Sequence, residues 1–229
     1  MRTILIRLNN LFFILLKKEI SQELKSKDTL LSMVIFGIST LLIFSFSFNP
    51  SSNSIQFFLP GLAWITFMFS LNIGINRNFS KEKEFNAISL LLSSPIDRGY
   101  IFLSKSISFI LYLLISQIIL FPLFHLFFDF PIIKNLKFWL LVTLINWAIS
   151  TLGVLVGGLG FRSKMSDVLS ILLFFPLSTP VFISAVKSTT ILAKGLKFEF
   201  YSFWYMIILS FAIGMTIMGL FLFDYSLEE

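Results

Sequence analysis

The sequence predicts an all-α membrane protein with six transmembrane helices. Hydrophobic residues make up 56% of the 229-residue chain, 30 residues are Phe, and the mean hydropathy is +0.90. Ordinary soluble domains contain roughly 45–50% apolar residues. The apolar residues also fall into blocks of about 20, the length that a helix needs to cross a ~30 Å hydrocarbon core.

We expect one domain over residues 1–229. Residues 1–27 predict an amphipathic interfacial helix, because apolar side chains such as Leu8, Leu11 and Leu15 share one face and Arg7 and Lys18 lie opposite. A short seventh span is the alternative for this segment. The predicted spans cover residues 29–48, 55–75, 101–124, 137–160, 167–186 and 200–223.

The basic residues predict the orientation, since Lys and Arg of short loops are retained on the cytoplasmic side. Five of the 18 Lys and Arg residues fall on one side of the predicted topology: Lys134, Lys137, Lys187, Lys194 and Lys197. The other thirteen fall on the side of both termini, which we therefore place in the cytoplasm. The net charge of +6 reflects the membrane topology and attraction to lipid headgroups. We therefore expect no nucleic-acid partner.

The charged stretch KEKEFNAISLLLSSPIDR, residues 81–98, separates the second span from the third. A helix from Lys81 to Ser93 would place Phe85, Leu91 and Leu92 on one face, and Pro95 would end it. Within residues 78–99, which we call the coupling segment, such a helix could receive a cytoplasmic partner. A solvated loop helix is the alternative.

Two patterns within the spans concern helix packing. The fourth span contains GVLVGGLG, and small residues at this spacing let another helix approach closely. The glycines are Gly153, Gly157, Gly158 and Gly160. The fifth span contains Pro176 and Pro180, which predict a break or bend, because proline lacks a backbone donor and clashes with the preceding turn. We expect a moving interface there, with a static kink as the alternative.

The chemistry of the chain is limited. The sequence has no phosphate-binding G-x-x-x-x-G-K-[ST] motif, no cysteine, and no charged residue near the centre of a predicted span. His125, the single histidine, is either an axial haem ligand or an interfacial side chain. We expect no metal site and no catalytic residue.

Residues 82–105, EKEFNAISLLLSSPIDRGYIFLSK, resemble the coupling segment of ABC-2-type permeases. The resemblance becomes more specific with two further segments, LLFFPLSTPVFI at 172–183 and the tail LFLFDYSLEE. With six spans in about 220 residues, the chain resembles the cytochrome c maturation haem exporter B family (CcmB). It departs at Phe85 and Asn86, where the family commonly has Gly-Thr.

This resemblance implies a non-catalytic membrane subunit in the bacterial inner membrane. The implied partners are a CcmA-type ABC ATPase that binds the ATP, a CcmC-type haem-handling membrane subunit, a periplasmic haem chaperone and membrane lipids. Haem is the implied substrate, and we expect no cofactor held by the chain itself. The subunit would either conduct haem or transmit ATPase motion that releases the loaded chaperone.

The resemblance assigns ATPase coupling to residues of the coupling segment and the start of the third span. They are Glu82, Glu84, Phe85, Leu91, Leu92, Ser93, Pro95, Arg98 and Lys105. Of these, Arg98 and Lys105 would pin the loop to headgroups or to the partner. Two alternatives stay open: an ABC-2 permease that exports a lipid, drug or polysaccharide, and a membrane scaffold that transports nothing.

Overall fold

A computed structural model describes residues 2–48, 53–84, 97–130, 134–160, 166–200 and 202–227. Within these ranges helices are the only regular secondary structure. The helices are α1 (Arg2–Ser26), α2 (Asp28–Ser47), α3 (Asn53–Glu84), α4 (Arg98–Phe128), α5 (Leu136–Gly160), α6 (Ser166–Ala193) and α7 (Ser202–Leu227), with a short 3₁₀ helix at Phe198–Phe200. Helices α2 to α7 are each long and apolar enough to cross a membrane. The predicted all-α membrane architecture with six spans is therefore confirmed.

Helix α1 joins α2 through a single residue, Lys27, which adopts the left-handed conformation with a φ of 56°. The side chain of Lys27 offers no cap to α2. Instead, Oε1 of Glu23 in α1 accepts a hydrogen bond of 2.7 Å from the backbone N–H of Leu30. A carboxylate at a helix N-terminus satisfies a free donor and complements the helix dipole. Helix α1 packs mainly against α4.

Helix α3 is longer than predicted, because it continues from the expected end at residue 75 to Glu84. Residues 81–84, which we assigned to the start of the coupling helix, therefore belong to α3. Asn78, Phe79 and Glu82 are buried, so contacts with neighbouring helices favour the helical conformation of this polar stretch. Residues 85–96, the remainder of the predicted coupling helix, lie outside the described residues.

Helix α5 occupies the middle of the bundle and contacts α3, α4, α6 and α7. Its glycines allow the close approach of α3. A methyl group added at Gly153 would overlap Ile75, and one added at Gly157 would lie 2.8 Å from both Ile75 and Phe79. Gly158 is also buried, and α5 ends at Gly160.

Helix α6 runs without interruption through Pro176 and Pro180. Of the expected break or bend, the break is therefore not observed, and the bend stays a prediction. Hydroxyl groups donate to carbonyls close to the prolines, with Ser178 bonding the Phe175 oxygen at 3.0 Å and Ser184 bonding the Pro180 oxygen at 2.8 Å.

Polar side chains join the spans in pairs. The buried amides of Gln117 in α4 and Asn146 in α5 exchange two hydrogen bonds of 2.9 and 2.7 Å. The indole N–H of Trp64 in α3 donates to the hydroxyl of Thr189 in α6 at 2.9 Å. These neutral contacts fix the helices relative to one another in a medium where unpaired polar groups are costly.

Consecutive spans run in opposite directions. The starts of α2, α4 and α6 therefore lie at the same end of the bundle as the far ends of α3, α5 and α7. We call this end the basic end, because most of the Lys and Arg residues belong to it.

Candidate functional site

Two residues assigned to ATPase coupling, Glu82 and Lys105, meet inside the protein at the basic end. Glu82 lies two residues before the end of α3, and Lys105 lies in the second turn of α4. Nζ of Lys105 is 2.7 Å from Oε1 of Glu82, and both side chains are 1% exposed. The pair therefore joins the two helices that flank the middle of the coupling segment.

Two residues of α1 complete a ring of alternating charges around this pair. Oε1 of Glu19 is 3.3 Å from Nζ of Lys105 and 2.9 Å from Nζ of Lys18. Nζ of Lys18 is in turn 3.1 Å from Oε1 of Glu82. Each ammonium group thus contacts two carboxylates, and each carboxylate contacts two ammonium groups. We call Lys18, Glu19, Glu82 and Lys105 the charge square.

Neighbouring side chains complete the environment of Lys105. Oδ1 of Asn78 accepts a hydrogen bond of 3.1 Å from its ammonium group, and the Phe79 ring centroid is 5.2 Å from Nζ. An aromatic face attracts a cation at this distance. The hydroxyl of Tyr112 donates to the backbone carbonyl of Glu19 at 3.0 Å. The square is therefore held by polar groups from α1, α3 and α4.

The charges of the square compensate one another, since it contains two cations and two anions. Burial alone raises the pKa of the Glu19 carboxyl, but the ammonium groups of Lys105 and Lys18 more than offset this and hold the pKa below its usual value. Lys18 is about one-third exposed and is the corner nearest to water. Oε2 of Glu82 is buried without a hydrogen-bond partner among the described residues.

A second ion pair lies at the rim of the same end. The ammonium group of Lys81 contacts the Asp28 carboxylate and the Ser26 hydroxyl. It links the last turn of α3 to the junction between α1 and α2. The coupling segment is therefore joined to α1 and α2 at two places.

The structure corrects the expected surroundings of Lys105. We expected its ammonium group to contact headgroups or a partner, but it is buried and neutralised by Glu82 and Glu19. The cause is packing of α1 over this part of α4, which the sequence pattern did not show. Glu84 is exposed and Arg98 is half-buried. The other proposed coupling residues, Phe85, Leu91, Leu92, Ser93 and Pro95, lie outside the described residues.

The sequence reasoning missed the contribution of α1. We placed Lys18 on the polar face of an interfacial helix and gave Glu19 no role. The spacing held a signal, because Glu19 and Glu23 follow the buried Leu15 at intervals of four and so share its helix face. Two carboxylates on a buried face require cationic or donor partners.

The remaining candidates lie away from the square. His125 is 39% exposed near the end of α4 opposite to the basic end, with Nδ1 3.6 Å from Oδ1 of Asp129. In the part of the chain that the structure describes, no three His, Cys, Asp or Glu residues lie close enough to hold a metal ion. Pro176 lines an apolar groove of about 420 Å³ between α3 and α6, together with Phe69 and Phe175.

Fold and site together define a multi-pass α-helical membrane protein with an internally neutralised ionic cluster at one end of its bundle. The chain belongs to the CcmB protein family, which it matches over residues 10–229. It is also similar to heme exporter protein B of Pseudomonas aeruginosa. The two are 23% identical over 210 residues, which cover 91% of this chain and 94% of the relative.

Proposed function

We propose that this chain is the membrane subunit of a haem-handling ABC transport complex in cytochrome c maturation. Membership of the CcmB family and the similarity to heme exporter protein B of Pseudomonas aeruginosa support haem as the substrate. ATP hydrolysis would take place in a separate CcmA-type subunit. This chain would be non-catalytic and would couple hydrolysis to haem transfer or to release of the loaded periplasmic chaperone, together with a CcmC-type subunit.

The charge square is the observation that carries the coupling part of the proposal. Glu82 and Lys105 tie the end of α3 to the start of α4, and these helices flank residues 85–96. A force applied to that stretch therefore reaches both helices together. Rigid α-helices of this length, 32 and 31 residues, would carry the displacement across the membrane.

The orientation and the moving parts are proposals of the same kind. The excess of Lys and Arg at the basic end supports cytoplasmic termini in the bacterial inner membrane. We propose that α3 and α6 move relative to each other beside Pro176, which lines the groove of about 420 Å³ between the two helices. Pro180 lies one turn further along α6. His125 stays a candidate haem ligand at the opposite end.

Purification from native membranes tests the proposal. We expect a tagged chain to co-purify with an ABC ATPase, and deletion of its gene to abolish covalent haem attachment to c-type cytochromes. Alanine at both Leu91 and Leu92 should reduce the haem-stained cytochromes while the chain stays in the membrane. Alanine at Leu172, which is 65% exposed on α6, is the matched control and should have no effect.

The outcomes separate this proposal from its alternatives. If an ATPase co-purifies but c-type cytochromes are normal in the deletion strain, the chain is better interpreted as an ABC-2 permease that exports a lipid, drug or polysaccharide. If no ATPase co-purifies and the Leu91 and Leu92 variant assembles cytochromes normally, the coupling model fails.

A further inference from the structure

The charge square contains two kinds of contact, which differ in what they join. The contacts Lys18–Glu82 and Glu19–Lys105 run between α1 and the α3–α4 pair. The contact Lys18–Glu19 lies within α1, and the contact Glu82–Lys105 lies within the α3–α4 pair. Only the first kind holds α1 in place, although all four contribute to the balance of charge.

We propose that the two contacts between helices fix α1 to the base of the coupling segment, so that α1 moves with α3 and α4 as one unit. This inference rests on the proposed function only in what it says about transmission of motion. Lys18 and Glu19 are then positioning residues for the coupling segment. Helix α1 therefore takes part in the transmission of motion through the permease.

Three features of the square support a mechanical role. Lys105 and both carboxylates are at most 4% exposed, so water competes little for these contacts. The ring is closed, and displacement of α1 would therefore disturb both contacts between helices together. Lys18 is the only partly exposed member of the square. Its contacts would therefore be the first to break under force.

A pair of matched double variants separates the mechanical role from simple charge balance. Lys105→Met with Glu82→Gln leaves Lys18 and Glu19 as the remaining pair, which lies entirely in α1. Lys105→Met with Glu19→Gln leaves Lys18 and Glu82, which still join α1 to α3. Both doubles keep one cation and one anion, and both lose one Lys and one Glu. They differ in whether an ionic contact crosses from α1.

The chain contains no cysteine, which makes it suited to spin labelling. Spin labels can be attached at two exposed positions, Gln22→Cys in α1 and Ser80→Cys in α3. Pulsed electron paramagnetic resonance would then report the distance between these helices. We expect a narrow distance distribution in the otherwise native chain and in the variant that keeps Lys18 and Glu82. The variant that keeps only Lys18 and Glu19 should show a broadened distribution.

Other contacts of α1 are common to both doubles. The burial of Leu15 and the hydrogen bond from Tyr112 to the backbone of Glu19 do not involve the substituted groups. A difference between the doubles therefore reports the ionic contacts. Equal distributions in the two doubles would overturn the inference, whether both are narrow or both are broad.

The distance measurement needs no partner subunit, so its result is independent of the proposed function. In cells, the double without a crossing contact should also show a several-fold loss of haem-stained c-type cytochromes compared with the other double. Absence of a co-purifying ATPase would refute the proposed function and leave the distance result standing. Equal cytochrome levels in the two doubles would refute transmission through α1.

Discussion

Lys105→Met removes the buried cation of the charge square while keeping an unbranched side chain. Glu82 then loses its 2.7 Å contact and Glu19 its 3.3 Å contact. Lys18 is left to face both carboxylates from a corner that is one-third exposed. Breaking a buried ion pair by removal of one partner costs about 3–5 kcal/mol, because an uncompensated charge stays buried. We expect a loss of this size in the free energy of unfolding.

Thermal unfolding of the purified chain in detergent measures this loss. For a chain of about 150–250 residues, 1 kcal/mol corresponds to roughly 2–4 °C, so the midpoint should fall by about 6–20 °C. Lys25→Met is the control, since Lys25 is exposed in the last turn of the same α1. The variant at Lys25 should unfold within about 2 °C of the native chain.

The double variants add a second requirement. Adding Glu82→Gln to Lys105→Met restores one anion for one cation, and most of the lost stability should return. If Lys105→Met is no less stable than the Lys25 control, the cation is not needed to neutralise the carboxylates. If the double is less stable than the single variant, the charges do not compensate one another as the geometry indicates.

Three further predictions concern the spans and α1. Gln117→Leu should lower the free energy of unfolding by about 1–3 kcal/mol, because the Asn146 amide stays buried without its partner. Gly157→Leu should lower it by about 1–3 kcal/mol or more, because the new side chain overlaps Phe79. The stability advantage of the native chain over Glu19→Gln should be constant above about pH 5 and shrink as the pH falls below about 4.

Each of these has its own check by thermal unfolding in detergent. Replacing both Gln117 and Asn146 by Leu should recover most of the loss, and a further fall would contradict the pairing argument. Gly61→Leu is the control for Gly157→Leu, since a Cβ at Gly61 meets no atom within 4 Å, and equal losses would contradict close packing. A Glu19 advantage that disappears near neutral pH would contradict the lowered pKa of its carboxyl.

The spans were predictable from sequence, because each satisfies a local rule on length and hydropathy. The end of α3 was not predictable in the same way. Residues 76–84 contain asparagines and charges, a composition typical of a loop. They are helical because Asn78 and Glu82 contact Lys105 of α4 and Phe79 lies against α5 at Gly157. Tertiary packing has overridden the local composition of this stretch.

The charge square could not be predicted from the sequence, for a different reason. Lys18 and Glu82 are 64 positions apart, and Glu19 and Lys105 are 86 positions apart, so no spacing rule relates them. The glycine face of α5 is the opposite case, because Gly153 and its neighbours repeat at the spacing of one helix turn. Sequence therefore indicated the glycines that allow close helix packing, and only the fold showed which charged side chains meet.

The depth of the square bears on its role. Lys105 lies seven residues into α4, which is about 10 Å along a helix that rises ~1.5 Å per residue. It is therefore close to the edge of a hydrocarbon core of ~30 Å, whereas the Gln117–Asn146 pair lies deeper along the same helix. A charge near the membrane surface is less costly than one at the centre, and water reaches the square at Lys18. This position suits the role that we propose for the square, which is to hold α1 and to rearrange under force.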